Sequence, residues 1–325
     1  MKSEILTALR NTKEYVSGQE LCEKLGVSRT AVWKGMQKLK EEGYQIEAIP
    51  NKGYRLKESP DVLSVEELES IRKTAWAGQK IVYYDVTDST NIQAKRLAEE
   101  GAPHGTLVVA ERQSAGRGRR GRYWESAEHE GIFMTILLRP EFKPEQASML
   151  TIIAAMAVTK AIRTMMQLSA DIKWPNDIVL NGKKICGILT EMSTEIDAIN
   201  YVVIGIGINV SNRQFGEEAA EIATSIAMES GLQVHRAELI ESVWEWFEFY
   251  YDRFCKDGNL ECIQEEYDAW LVNRDRQVRI LDPKEPFVGI AKGITKTGEL
   301  IVETEEGLKL VSSGEVSVRG IYGYV

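Results

Sequence analysis

The chain has 325 residues, 43% of them hydrophobic and 27% charged, with 40 Lys and Arg against 49 Asp and Glu for a formal net charge of −9. These proportions exclude collagen-like and largely disordered chains, and the length predicts two or three domains with room for a substantial core. Taken whole, the charge argues against a nucleic-acid partner, yet residues 1–58 alone carry +3 and the remainder −12, which leaves one place where a DNA-reading module could sit.

Ile5, Leu6 and Leu9 recur at helical spacing, and Ser17 followed by Glu20 has the form of a capping box that opens a second helix, stopped by Gly26. Ser28 then caps a third helix whose buried stripe is Val32, Met36 and Leu39. Two short helices joined by a tight turn predict a helix-turn-helix, and two extended runs around Pro50-Asn51-Lys52-Gly53 predict a wing. On that reading Ser28, Arg29, Thr30, Trp33 and Lys34 face base edges, while Lys52 and Arg55 reach phosphates. A small helical protein-interaction domain with an incidental hairpin is the competing reading. The polar run Lys57–Ser64 reads as a linker, so the first domain, a winged helix-turn-helix, is placed at 1–63.

From about residue 80, strand-like and helical runs alternate without a regular βα repeat, which predicts an α+β domain with a mixed sheet over 64–272. Its densest feature is Ser114–Trp124, where three Gly interleave with Arg117, Arg119, Arg120 and Arg122. Glycines let backbone amides approach a ligand and guanidinium groups orient phosphate or carboxylate oxygens, so an anionic small molecule is the natural partner. An Arg-Gly nucleic-acid segment is the alternative.

Lys173-Trp174-Pro175-Asn176-Asp177 reads either as a turn that offers Asn176 and Asp177 to Mg2+ or as an ordinary Asn-Asp turn. Lys183 and Lys184 open an apolar strand, where at least one must face inward and needs an anionic partner. Gly205 and Gly207 lack the third glycine of a dinucleotide fingerprint and instead predict close approach of a ligand or neighbouring strand. An aromatic-rich segment, residues 241–254, reads as an amphipathic helix packed in the core, and from 273 to 325 short strands separated by turns predict a small antiparallel barrel. Four Cys without a Cys-x-x-Cys pair and three scattered His argue against zinc and disulfides. With no signal-peptide core at the start and no run approaching 18 apolar residues, a cytoplasmic protein without a membrane partner is expected.

In this order, Asp88-Ser89-Thr90-Asn91, GRGRRGRYW, KWPND, GKKICGIL and GIGIN resemble the biotin protein ligases. Together with the winged helix and SSGEVSVRG, they resemble the bifunctional group that also represses biotin operons, and the resemblance covers essentially the whole chain. It implies that ATP and biotin react to biotinoyl-AMP with Mg2+, and that biotin then passes to a lysine of a carboxylase's biotin carboxyl carrier domain. Biotinoyl-AMP would also serve as corepressor, operator DNA as a partner, and a homodimer as the ligand-bound state.

Residue by residue, the resemblance implies that Ser89, Thr90, Asn91 and Gln113 bind biotin and that Gly116, Arg117, Gly118 and Arg119 close over it. Lys184, preferred to Lys183, would bridge biotin carboxylate and phosphate, and Trp124, Asn176, Asp177, Gly187 and Asn209 would surround the adenylate and metal. Arg119, Lys184 and Asp177 would carry the catalysis. Glu315 would contact the nucleotide side, and the last domain would be SH3-like. A biotin-sensing repressor without ligase activity and a lipoate- or octanoate-type ligase are the alternatives.

Overall fold

Capping hydrogen bonds set the first elements. The structure, a computed structural model, describes residues 1–195, 198–282, 285–313, 317–320 and 323–325. It opens with α1 (Lys2–Arg10), α2 (Gly18–Leu25) and α3 (Arg29–Glu41), then β1 (Gln45–Ile49), β2 (Gly53–Glu58) and α4 (Val65–Ile71). The Ser17 hydroxyl accepts the Glu20 amide at 3.0 Å and Ser28 accepts the Ala31 amide at 3.3 Å, each cap contributing ~1 kcal/mol. Gly26, at φ 66°, ends α2 in the left-handed region that favours glycine.

The expected stripe of Val32, Met36 and Leu39 packs with Ile5, Leu6, Leu9 and Leu21 into one core. β1 and β2 form the antiparallel wing. Val16 and Tyr54 exchange two backbone bonds of 2.9 Å, which tie the wing to the segment before α2. α4 is tied to α1 and to the segment before β1 by Glu67, which accepts from Arg10 Nη2 and from the Tyr44 hydroxyl, each at 2.7 Å. Met1–Lys73 with His235–Glu241 make one compact unit, and Thr74–Val234 with Ser242–Val325 make a second.

In the second unit the chain runs β3 (Ile81–Thr87), α5 (Thr90–Glu99), β4 (Thr106–Gln113), β5 (Gly131–Leu138), α6 (Met149–Met166), β6 (Asp171–Lys173), β7 (Asp177–Leu180), β8 (Lys183–Thr194) and β9 (Ile199–Asn209). These strands build a seven-stranded sheet ordered β3-β4-β5-β9-β8-β7-β6, in which only β3 and β4 pair in parallel. That is the mixed sheet expected from the irregular alternation. β5 is buried along its whole length, as its apolar run, interrupted only by Thr135, predicts.

α6 amends one expectation. By length and composition it is apolar enough to cross a bilayer, yet twelve of its 18 side chains are buried against protein, which makes it a core helix. Two short helices, α7 (Glu217–Ala220) and α8 (Ile226–Ser230), were not legible in the sequence. The aromatic segment lies in α9 (Arg236–Asp257), where Trp244, Phe247, Tyr250, Tyr251 and Phe254 are buried as expected.

After α10 (Glu261–Trp270), the strands β10 (Gln277–Leu281), β11 (Phe287–Ile294), β12 (Leu300–Thr304), β13 (Gly307–Val311) and β14 (Ser317–Gly320) form an antiparallel sheet ordered β13-β12-β11-β10-β14. This is the small C-terminal β domain expected as SH3-like. Glu315 lies outside the described residues.

Candidate functional site

The site is built where the carboxyl end of β3, the start of α5 and the paired strands β8 and β9 converge. A small cavity of about 50 Å³ is lined by Ser89, Thr90, Asn91, Gln113, Lys184 and Gly187, among others. It shares Gln113, Gly118, Arg119, Trp124, Asn176 and Lys184 with a larger cleft of about 1090 Å³. The resemblance placed these residues together, and the fold brings them together.

The cavity end is neutral and its polar groups are already arranged. The Gln113 carboxamide oxygen accepts from the Thr90 amide at 2.8 Å and its hydroxyl at 3.1 Å, while its nitrogen donates to the Ser126 hydroxyl at 3.3 Å. Thr135 donates to the Asn91 oxygen at 2.7 Å, and Asn91 Nδ2 donates to Glu191 at 2.8 Å. Burial raises the Glu191 carboxyl, but hydrogen bonds from Lys95 and Asn91 overcome it and hold the group below its ordinary value. Thr135 and Glu191 escaped the sequence reading, although one polar residue inside GIFMTILL and one acid inside KKICGILTEM were the visible signals.

The two glycines of β9 do what close approach requires. A side chain at Gly205 would collide with the Asn91 carboxamide, and one at Gly207 or Gly187 with the Trp124 indole. Because Gly187 and Gly207 are direct partners across β8 and β9, Trp124 lies flat on the sheet.

The Arg-Gly loop folds over this floor. Trp124 donates its amide to the Gly116 carbonyl at 3.0 Å and Gly118 donates to Arg122 at 2.8 Å, with Arg117 and Tyr123 paired between them. Arg120 adopts φ 58° at the tip. Arg117 stays exposed, whereas Arg119 turns inward, donating to the Asn176 side-chain oxygen at 2.8 Å and to the Ser313 carbonyl at 2.5 Å. Burial pulls the Arg119 guanidinium below its ordinary value against the attraction of Asp177.

Charge collects at the mouth of the cleft. Lys184 Nζ lies 2.6 Å from Asp177 Oδ1, whereas Lys183 is exposed at the strand start, which decides between the adjacent lysines in favour of Lys184 as the inward one. Burial would raise the Asp177 carboxyl, but Lys184, Lys173 and the Tyr324 hydroxyl hold it below its ordinary value. Lys173, 6% exposed, is pulled down to about 8 by burial and by the positive charges of Lys184, Arg319 and Arg122. Its Nζ rests 3.8 Å from the centroid of the Tyr324 ring. Nothing in the sequence assigned a part to Lys173 or pointed to Tyr324. Asn209 sits at the end of β9 beside the larger cleft, its amide donating to the Thr224 carbonyl at 3.0 Å.

The expected metal donors do not form a standing metal site. Asn176 Oδ1 accepts from Arg119, and both Asp177 oxygens are engaged, Oδ1 by Lys184 and Asn176 and Oδ2 by Tyr324. Among the described residues no three His, Cys, Asp or Glu side chains converge, and the surrounding cations oppose Mg2+.

In the first unit, Ser28 is spent on its cap, and Arg29, Thr30, Trp33 and Lys34 line an exposed face of α3, with Trp33 54% exposed. Lys52 is exposed at the wing tip. Arg55 differs from expectation: it donates to Glu47 at 2.8 Å and stacks 4.6 Å from the Tyr15 ring centroid, so its charge is largely neutralised within the wing.

Three family profiles match in series: an HTH domain over residues 2–55, the biotin/lipoate A/B protein ligase family over 83–209, and the biotin protein ligase C terminal domain over 275–319. The chain is 43% identical over 309 residues to the bifunctional ligase/repressor BirA of Bacillus spizizenii, covering 94% of each. It is 30% identical over 317 residues to that of Escherichia coli, covering 97% of this chain and 96% of the other. The biotin protein ligase from Aquifex aeolicus in complex with biotin and ATP superposes with a TM-score of 0.66 at 30% identity, over 74% of this chain and 99% of that one. The chain belongs to the biotin protein ligase family, in its bifunctional ligase/repressor branch.

Proposed function

We propose that this protein activates biotin with ATP and transfers it to a lysine of a carboxylase carrier domain, and that it represses biotin genes when biotinoyl-AMP is bound. The observation that carries the reading is the place of Lys184 and Arg119, which line both the small cavity of Ser89, Thr90, Asn91 and Gln113 and the cation-rich cleft. A biotin whose ureido ring is held by Ser89, Thr90, Asn91 and Gln113 presents its carboxylate towards Lys184.

In the first step a carboxylate oxygen attacks the α-phosphorus of ATP, the bond to the bridging oxygen breaks and pyrophosphate leaves. Lys184 and Arg119 offset the repulsion of the two anions and the charge that develops between them. In the second step the carrier lysine amine attacks the acyl carbon, AMP leaves with the bonding pair, and the amine loses a proton. Trp124 and the folded Arg-Gly loop keep water from the anhydride. Asn176 and Asp177, whose oxygens are already engaged, do not fit a resident Mg2+; bound with ATP, the ion would supply shielding of the phosphate charge.

The polar lining favours biotin over lipoate or octanoate, because a ureido ring can exchange hydrogen bonds with Ser89, Thr90, Asn91 and Gln113, whereas an apolar acyl end offers them none. On the exposed face of α3, Arg29, Thr30, Trp33 and Lys34, with Lys52 on the wing, read operator DNA. The balance of +3 over residues 1–58 implies few phosphate contacts per subunit, so tight binding needs a homodimer. We place the domains at 1–63, 64–272 and 273–325, in a cytoplasmic protein.

Incubation with ATP, Mg2+, biotin and a carrier domain tests the ligase. A biotin-sized mass increase on the carrier is expected, and its absence, or equal transfer of octanoate, would sink the reading. A gel shift on a candidate palindrome tests the repressor: affinity must rise when biotin and ATP are both present.

A further inference from the structure

We infer that Tyr324, held against β7 from beyond the C-terminal sheet, is a positioning residue for the ligase reaction, setting the carboxylate of Asp177 and the ammonium of Lys173. The inference rests on the ligase reading of the site. Four observations carry it.

The Tyr324 hydroxyl donates to Asp177 Oδ2, the oxygen that Lys184 leaves free. The carboxylate is thereby held from both sides, and Lys184 keeps a fixed partner at 2.6 Å. The same ring lies 3.8 Å from Lys173 Nζ. Lys173 is buried, and among the described residues no hydrogen bond or ion pair to its ammonium is found, so the face of the ring is its closest stabilising contact.

The neighbouring residue shows that this placement is built. Val325 packs 3.3 Å from where a side chain at Gly182 would begin, in the turn between β7 and β8, and its carbonyl lies where a side chain at Gly320 would stand. Tyr324 also lines the larger cleft together with Lys173, Arg319 and Lys184, so it borders the space in which the ATP phosphates must lie. One aromatic side chain therefore touches an acid and a base that lie on two strands of the catalytic sheet.

The two contacts use different parts of the residue. Removing only the hydroxyl leaves Oδ2 without its donor in a half-buried cleft, and Asp177 is then free to turn towards Lys173 and draw Lys184 with it. Removing the ring as well takes away the surface on which Lys173 rests. Neither change touches the cavity of Ser89, Thr90, Asn91 and Gln113, which is lined without Tyr324.

The test uses the full chain and compares Tyr324→Phe and Tyr324→Leu with the unaltered protein in the carrier biotinylation assay. Failure of the unaltered protein to transfer biotin would count against the ligase reading itself and is distinguishable from failure of the variants. For Tyr324→Phe we expect kcat/KM for ATP to fall about tenfold, the scale of one hydrogen bond to a charged group, with biotin affinity unchanged by calorimetry. Tyr324→Leu should fall further, and Phe should restore the difference.

A cycle with Asp177→Asn supplies the second measurement. If Tyr324 acts through Asp177, the double variant Tyr324→Phe/Asp177→Asn should be no slower than Asp177→Asn alone. Additive losses, a rise in activity on removing the hydroxyl, or a loss of biotin affinity equal to the loss for ATP would overturn the inference. The last result would mark Tyr324 as filler that supports the fold in general.

Discussion

The face of α3 and the ligase cleft both gather cations, yet they use them in opposite ways. On α3, Lys34 and Arg29 are exposed, so their charge costs little to keep and is open to any phosphate that approaches. In the cleft, Lys173 is buried and Arg119 and Lys184 are partly so, and each is held by a defined neighbour: the Tyr324 ring, Asn176 and Asp177. Exposed charge gives salt-dependent attraction with little geometry. Buried charge must be paired, and the pairing is what fixes the direction in which a carboxylate and a phosphate can meet.

That contrast is broken most sharply at Lys184. Lys184→Met keeps the stem and removes the charge, so Asp177 loses its partner and the two substrate anions lose their shared cation. A fall in kcat on the order of a hundred- to a thousandfold is expected, with operator binding by the ligand-free protein unchanged. A loss under threefold would show that Lys184 pairs with Asp177 for structure alone. Arg119→Gly removes the cation that the loop turns inward, with its bonds to Asn176 and to the Ser313 carbonyl. Adenylate should then dissociate about ten- to a hundredfold faster in a filter or mass assay, since hydrogen bonds from a charged group are at stake. An unchanged off-rate would assign retention of the adenylate to the loop backbone.

On the exposed side a single charge should matter less and in a different way. Lys34→Ala should lower operator affinity and reduce the slope of log affinity against log salt by about one, with ligation unaffected. Arg55→Ala provides the contrast. Because Glu47 and Tyr15 already occupy Arg55, its removal should leave that slope unchanged. An equal change in slope for both variants would mean that the wing opens on DNA and frees Arg55.

Much of this was legible because sequence pattern and local structure share a cause. Ser17 and Ser28 cap where their spacing to the next apolar run put them, and Gly26 stops α2 where only a left-handed residue fits. The motifs Ser89-Thr90-Asn91, GRGRR and KWPND converge on one cleft, since each sits at the end of a strand of the same sheet. What stayed hidden depends on contacts between distant residues. Thr135 becomes a site residue only because β5 passes under Asn91, and the pairing of Arg55 with Glu47 is visible only because the two face each other across the wing. Asn176 and Asp177 looked like metal donors in isolation. Folding surrounds them with Arg119, Lys184 and Lys173, whose charge turns the turn from a cation site into an anchor for cations.

Lys173 gives the smallest of the expected effects and the finest test of what burial costs a cation. Its ammonium titrates at about 8 in the folded protein against an ordinary 10.5, because burial disfavours the charge more than Asp177 favours it. Between those two values the unfolded chain holds a proton that the folded chain has released. Stability contributed by this group therefore rises as pH climbs through that window and falls as pH drops through the folded value. Other groups titrate in the same range, so the comparison must be with Lys173→Met, which fills the same space without a charge. Relative to that variant, the unaltered protein should gain on the order of 1 kcal/mol in urea unfolding between about pH 7.5 and about pH 9.5, after relaxation reduces the full shift. Adding ATP should erase the difference, because the phosphates then supply the counter-charge that the ring of Tyr324 cannot. A gap that is flat with pH would mean that water reaches the ammonium, and that the cleft holds its cations much as the open face of α3 does.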